Sequence, residues 1–192
     1  MSKTITFLII LMHIFYSCKA PFVLNPQNQN TTELVKEKYA FPLDWIGTYI
    51  GQLIIIDTQG DSSFVQMELK IEYPNASGFY PWTVTYGEDD VRSYGLESIN
   101  PERGHYRIDE FNSIKVDAYL RGNHFISRFE VLNTDLVIDY EKTSGGINVQ
   151  LYITQNNIYN ESGGEIIGSS TVPIVASYPL NVFQKAFLKQ QY

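Results

Sequence analysis

The fold is decided by a run in which apolar and polar side chains alternate, Val65-Gln66-Met67-Glu68-Leu69-Lys70-Ile71-Glu72-Tyr73. Successive side chains on a β-strand point to opposite faces, so this run predicts a strand with one dry and one wet face. Similar alternation recurs from about residue 44 onwards, and clusters of Gly, Pro, Asn and Asp separate the runs. Those residue types favour tight turns, so the sequence predicts a series of strands joined by short loops.

The spacing of these runs, roughly 8 to 12 residues, is typical of an antiparallel sandwich or barrel. We predict about ten strands, near residues 47–57, 64–73, 80–87, 91–97, 104–109, 113–120, 123–132, 134–142, 146–155 and 165–177. A two-layer sandwich would show the same alternation. Because no long crossover connection is visible, and closure removes exposed strand edges, we favour an all-β, antiparallel up-and-down β-barrel.

Helical structure is expected only near the ends of this region. A helical turn is predicted over residues 32–39, before the first strand. A short terminal helix is predicted to begin at Asn181, which would cap it. That helix would place Val182, Phe183, Ala186 and Phe187 on one face.

The start of the chain has the features of a secretory signal. Lys3 precedes an apolar run over residues 5–16, and the small Ser17 then precedes the single cysteine, Cys18. The run is shorter than the roughly 20 apolar residues of a membrane span. This pattern resembles the lipobox of bacterial lipoproteins, in the loose form found in Bacteroidetes. The resemblance implies cleavage before Cys18 and lipid modification of its sulfur and amine.

The alternative is an ordinary signal peptide with an incidental cysteine, which would give a secreted protein. Beyond Cys18 the chain has no cysteine, whereas secreted animal domains of this size commonly carry disulfides. We therefore expect a signal peptide over 1–17, a lipidated tether over 18–43 and one barrel domain over 44–192. The expected location is the cell envelope, with a lipid anchor in the membrane.

Composition narrows the possible partners. The chain has 14 Lys and Arg against 21 Asp and Glu, a formal charge of -7, which argues against nucleic acid. A single cysteine excludes a disulfide framework and a Cys-rich zinc site. Beyond the signal the only histidines are His105 and His124, too few for a histidine zinc site. We expect no metal and no cofactor.

The first predicted strand contains Gly47-Thr48-Tyr49, and this segment is similar to the opening of the calycins, the lipocalin and fatty-acid-binding-protein group. In that family a Gly-x-Trp places an aromatic ring at the closed end of a barrel, and an Arg from a late strand often covers the ring. The resemblance implies a small apolar ligand in the lumen, with Tyr49 as the aromatic and Arg128 as the covering residue. The alternative is that Trp45 and Tyr49 are core aromatics without a ligand.

Candidate ligand-binding residues come from aromatic and cationic side chains near the dry face. Trp82 and Tyr86 belong to an aromatic row that would stack on a planar ligand, and Tyr140 is a polar exception on a dry face. Arg92 and Arg128 lie among aromatic residues and would suit an acidic ligand. The alternatives are a core row and cross-strand ion pairs with Glu130, Asp89 or Asp90.

The densest polar segment, residues 104–114, places His105, Arg107 and Asp109 on one strand face. A His with a nearby carboxylate would suit general acid–base catalysis. The alternative is an exterior ladder of charges at a hairpin, with Asp109 and Asn112 bonding their own turn. The favoured function is therefore an envelope lipoprotein that binds a small apolar ligand or an envelope partner. A structural lipoprotein with a filled core, and more distantly a hydrolase, remain alternatives.

Overall fold

The computed structural model describes residues 39–192. Its strands in chain order are β1 (Gly47–Ile56), β2 (Ser62–Ile71), β3 (Tyr80–Tyr86), β4 (Asp90–Asn100), β5 (His105–Asp109), β6 (Lys115–Arg121), β7 (His124–Val131), β8 (Thr134–Thr143), β9 (Gly146–Gln155), β10 (Asn160–Ser162), β11 (Ile166–Ile167), β12 (Ser170–Thr171), β13 (Val175–Ser177) and β14 (Leu180–Gln191). Short 3₁₀ helices at Leu43–Trp45 and Pro101–Arg103 precede β1 and β5.

Ten of these strands form one closed antiparallel barrel, in the order β1-β14-β9-β8-β7-β6-β5-β4-β3-β2. Neighbours in the barrel follow one another in the chain, apart from a local excursion between β9 and β14 and the closing pair of the first and last strands, β1 and β14. The predicted all-β, up-and-down barrel is therefore confirmed. The alternation explains why: on β2, Met67, Leu69 and Ile71 are buried in the interior, while the intervening residues face outward.

The predicted terminal helix at Asn181 is wrong, because this segment is β14, the strand that closes the barrel. It pairs with β1 from Thr48↔Gln191 to Ile56↔Phe183 and with β9 on its other edge. Asn181 lies at a register shift in the β9 pairing, and its side-chain oxygen accepts a hydrogen bond from Gln155 N–H at 2.8 Å. Pairing two strand edges outweighs the weak helical tendency of a short segment.

The predicted strand over residues 165–177 is also wrong. This part of the chain lies in an excursion of two small two-stranded sheets, one of β10 with β13 and one of β11 with β12. Gly168 begins the turn between β11 and β12 with a φ of 65°, a left-handed conformation that interrupts an extended strand. The excursion leaves from β9 and returns to β14.

One end of the barrel is filled by aromatic side chains. Phe41 lies edge-on to Trp45 and Tyr106, with ring centroids 5.0 and 4.7 Å away, and stacks on Phe125 at 4.7 Å. The Tyr49 hydroxyl donates a hydrogen bond to the Trp45 carbonyl at 2.9 Å. Trp45 and Tyr49 are fully buried, so we call this the closed end.

Residues 1–38 lie outside the described part of the chain. The signal peptide, Cys18 and most of the predicted tether and of the turn over 32–39 fall there, so they stay predictions. Within residues 39–192, no helix has the length and apolar character needed to cross a membrane.

Candidate functional site

The barrel interior contains a cavity of about 280 Å³ in the half opposite the closed end. Trp82 and Phe125 form its floor, with ring centroids 5.5 Å apart, and Phe125 in turn rests on Phe41 of the closed end. The remaining lining is mostly apolar, from residues near the ends of β3, β5, β7 and β9 and the starts of β4, β6 and β8: Val84, Tyr86, Arg92, Tyr94, Ile108, Glu110, Val116, Ser127, Phe129, Leu136, Ile138, Tyr140 and Leu151. The mouth of the cavity thus lies at the end where these strands turn.

Three phenol groups, those of Tyr86, Tyr94 and Tyr140, line the cavity. Tyr140 lies edge-on to Trp82, with ring centroids 5.3 Å apart. Burial raises the pKa of Tyr140 well above its usual value, and burial also raises the pKa of Tyr86 and Tyr94. All three phenols therefore remain protonated at neutral pH and offer hydrogen-bond donors in a largely apolar space.

Two charged side chains of opposite sign line the cavity, Arg92 and Glu110. Arg92 makes a bidentate pair with Asp90, with Nε and Nη2 lying 3.1 and 2.8 Å from its two carboxylate oxygens. The guanidinium carbon also lies 4.9 Å from the centre of the Tyr86 ring. The hydrogen bonds with Asp90 hold the pKa of Arg92 above its usual value and that of Asp90 below.

The cavity brings together four of the residues that the sequence singled out, Trp82, Tyr86, Arg92 and Tyr140. They lie on β3, β4 and β8, and the closure of the barrel places them around one space. Tyr49 does not line this cavity and belongs to the closed end instead.

The prediction that Arg128 covers Tyr49 is wrong. Arg128 lies on the outer face of β7, and its Nη2 pairs with Asp135 across the strands at 2.7 Å. Its side chain is 73% exposed. Alternation along β7 turns Phe129 inward and therefore turns Arg128 outward. The alternative of a cross-strand ion pair is confirmed, although its partner is Asp135 and not Glu130.

The cation that covers the first-strand aromatic is Lys142, which the sequence reasoning missed. Its Nζ lies 4.8 Å from the centre of the Tyr49 ring and donates to the Tyr49 hydroxyl at 3.2 Å. It also donates to Gln190 Oε1 at 3.4 Å. Lys142 has the same parity as the inward-facing Ile138 and Tyr140, so the alternation along β8 predicts that Lys142 also faces inward.

His105 and Asp109 lie on the outer face of β5 and have different partners. His105 Nε2 lies 3.1 Å from Asp117 Oδ1, whereas Asp109 pairs with the Lys115 ammonium at 2.8 Å. The ammonium and the Phe111 N–H hold the pKa of Asp109 below its usual value. The two residues form no catalytic His–Asp pair, and the exterior charge ladder is the arrangement observed.

No group of His, Cys, Asp or Glu side chains within residues 39–192 is arranged to hold a metal ion.

No protein-family model and no curated protein matches this sequence. The barrel is similar to the crystal structure of a protein of unknown function from the DUF3598 family of Nostoc punctiforme. The TM-score is 0.53 at 9% sequence identity. The likeness covers 76% of this chain and 47% of that protein, so the chain spans about half of its length.

At this identity the likeness shows the fold alone. The closed ten-strand barrel supports the calycin-like fold that the Gly47-Thr48-Tyr49 segment implies.

Proposed function

We propose that this protein is an envelope lipoprotein whose barrel binds a small apolar ligand in its lumen. The cavity above Trp82 and Phe125 carries this proposal. Its volume of about 280 Å³ is close to the lower end of the roughly 300–1,000 Å³ common for ligand pockets. An apolar lining with a few polar groups is also typical of such pockets. The ligand would therefore be compact.

The filled closed end helps to distinguish this function from that of a purely structural barrel. Phe41, Trp45 and Tyr49 fill the interior at one end, so the chain has side chains large enough to fill its lumen. Buried interiors are normally packed with few voids larger than a water molecule. The space at the other end therefore supports a binding role over a filled core.

The direction in which the chain enters the barrel fits a lipid anchor. Tyr39, the first described residue, lies at the closed end, where the Lys142 ammonium is 5.5 Å from its ring centre. The segment that follows Cys18 would therefore enter the barrel at the end opposite the cavity mouth.

Lumen binding is tested by filling the cavity. We expect the full-length protein to bind the neutral probe N-phenyl-1-naphthylamine saturably at one site, with a rise in probe fluorescence. Ile138→Trp should abolish this binding, because Ile138 lines the cavity. Val137→Trp is the matched control, since its side chain points outward from the same strand and pairs opposite Arg128.

Circular dichroism and thermal unfolding establish that each variant is folded. Ser127→Leu, a smaller change in the same lining, serves if Ile138→Trp does not fold, and it should weaken binding. A wild-type protein without saturable binding, or equal binding by wild type and a folded cavity-filled variant, would favour the structural alternative.

A further inference from the structure

We infer that the ligand of this lumen is a small aromatic or apolar amine, bound as its ammonium ion with the charge at Glu110 and the apolar body against the aromatic walls. This inference rests on the proposed function and assigns it a ligand class. It contrasts with the acidic ligand that Arg92 alone would suit.

Arg92 does not offer a free positive charge to an anion. Both oxygens of the Asp90 carboxylate accept hydrogen bonds from its guanidinium, at 3.1 and 2.8 Å. Its charged plane also lies over the Tyr86 ring. A carboxylate ligand at Arg92 would lie close to the Asp90 carboxylate, which costs free energy because like charges repel.

Unlike Arg92, the Glu110 side chain has no ion-pair partner among the described residues. Glu110 is half-buried and lines the cavity. Its backbone N–H donates a hydrogen bond to the Ile114 carbonyl at 3.0 Å, and this bond closes the loop after β5. Its Oε2 accepts a hydrogen bond from Asn112 Nδ2 at 3.1 Å. Within residues 39–192, no ion pair with a Lys, Arg or His joins this carboxylate.

The two charged side chains that line the cavity differ in their pairing. Arg92 forms an ion pair with Asp90, whereas the Glu110 carboxylate has no cation within ion-pair distance among the described residues. A half-buried carboxylate next to an apolar space favours a cationic ligand, because the ligand restores the interaction that partial burial takes away.

The walls of the cavity favour the same ligand class. Aromatic rings of Trp82, Tyr86, Tyr94, Phe125 and Tyr140 line it. The faces of such rings carry partial negative charge and attract ammonium groups. The same rings offer flat apolar surface to the body of a ligand. Carboxylate and rings together match a molecule that has a cation at one end and an apolar body at the other.

Three probes of nearly the same size and shape test the ligand class: 2-phenylethylamine, 2-phenylethanol and phenylacetate. Isothermal titration calorimetry of the full-length protein at pH 7 compares their Kd values. We expect the amine to bind at least about tenfold more tightly than the alcohol, as a charge-assisted hydrogen bond predicts. Phenylacetate should bind more weakly than both.

Glu110→Gln keeps the size of the side chain and the acceptor for Asn112 but removes the charge. We expect this variant to bind the amine and the alcohol within about twofold of each other, with its alcohol affinity unchanged. Glu130→Gln removes one negative charge from the exposed end of β7 and should keep the tenfold preference.

The outcomes separate the two proposals. Binding of the alcohol without a preference for the amine, a preference for phenylacetate, or an amine preference that persists in Glu110→Gln each overturns the amine inference and leaves lumen binding intact. Failure of all three probes to bind overturns this inference, whereas lumen binding itself is decided by the N-phenyl-1-naphthylamine experiment.

Discussion

Lys142 is a buried cation that has no carboxylate within ion-pair distance among residues 39–192, and its residue is only 4% exposed. The Tyr49 hydroxyl and Gln190 accept its hydrogen bonds, and the Tyr49 and Tyr39 rings face its ammonium. Burial lowers the pKa of Lys142, although Asp44 opposes the shift. Burial likewise raises the pKa of Tyr49 to about 12, so the phenol stays protonated beside the amine.

The lowered pKa of Lys142 predicts how stability depends on pH. An unfolded lysine titrates near about 10.4, so between the lowered folded pKa and that value the unfolded chain binds more protons. The free energy of unfolding contributed by this group therefore rises with pH across that window. Lys142→Met should remove this rise and should be more stable than wild type at pH 7, by about 1 kcal/mol.

Urea unfolding at several pH values from 7 to 10 measures the difference between wild type and Lys142→Met. We expect the advantage of the variant to shrink as pH rises. Lys189→Met, at an exposed position on β14, is the control and should follow the wild-type pH profile. A constant difference between Lys142→Met and wild type across this range would contradict the assignment.

The contrast between Arg128 and Lys142 shows what the sequence could predict about single residues. Parity along a strand assigns each side chain to a face, and it turns Arg128 outward and Lys142 inward. Strand parity in the sequence therefore predicts the face on which each of these two residues lies. The expectation of a covering Arg came from family resemblance, which specifies a type of residue but not which strand supplies it here.

At the scale of elements, the sequence predicted the strands from β1 to β9 and missed the last one. Alternation is clear on β2, β6, β7 and β9, where one face is apolar and the other polar. In β14, Phe183 and Phe187 face outward, so apolar residues lie on both faces and a helical pattern fits as well. The segment is extended because it pairs with the edges of both β1 and β9. Those strands are distant from it in the sequence, so its local pattern does not predict this pairing.

The excursion between β9 and β14 should be dispensable for folding. Thr154 and Leu180 already pair directly, so the two strands meet without it. Its large apolar side chains are exposed, including Tyr159 at 81% and Ile166 at 75%. Replacing residues 157–178 by Asn-Gly leaves a loop of hairpin length, and we expect Tm to shift by less than about 4 °C.

Thermal unfolding followed by near-ultraviolet circular dichroism checks this expectation. The comparison variant is a chain that ends at residue 178. It keeps the excursion but lacks β14. It should lose cooperative unfolding, because β1 and β9 would both have open edges. Loss of the cooperative transition in the shortened-loop variant would show that the excursion stabilises the barrel.

At the scale of the whole barrel, the chain enters and leaves at one end. Tyr39 lies at the closed end, and Gln191 pairs with Thr48 at the start of β1. The cavity mouth is at the other end. The up-and-down order of an even number of strands has this consequence, because the first and last strands are antiparallel neighbours.

Anchoring through Cys18 is testable in cells. Cys18→Ala should move the protein from the membrane fraction to the soluble fraction, because buried acyl chains contribute about 0.8 kcal/mol for each CH₂ group. Ser17→Ala keeps a small residue before the cysteine and should stay with the membrane. Membrane fractionation with fatty-acid labelling measures both variants, and membrane retention of Cys18→Ala would refute acyl anchoring.

The two tryptophans of the chain divide between the two ends of the barrel interior. Trp82 forms the floor of the cavity, whereas Trp45 lies in the aromatic packing of the closed end. Replacing Trp45 by Phe would leave a single indole, whose emission senses only the space where a ligand would sit. The barrel thus contains an intrinsic optical reporter of lumen occupancy, and ligands could be screened against it without any attached dye.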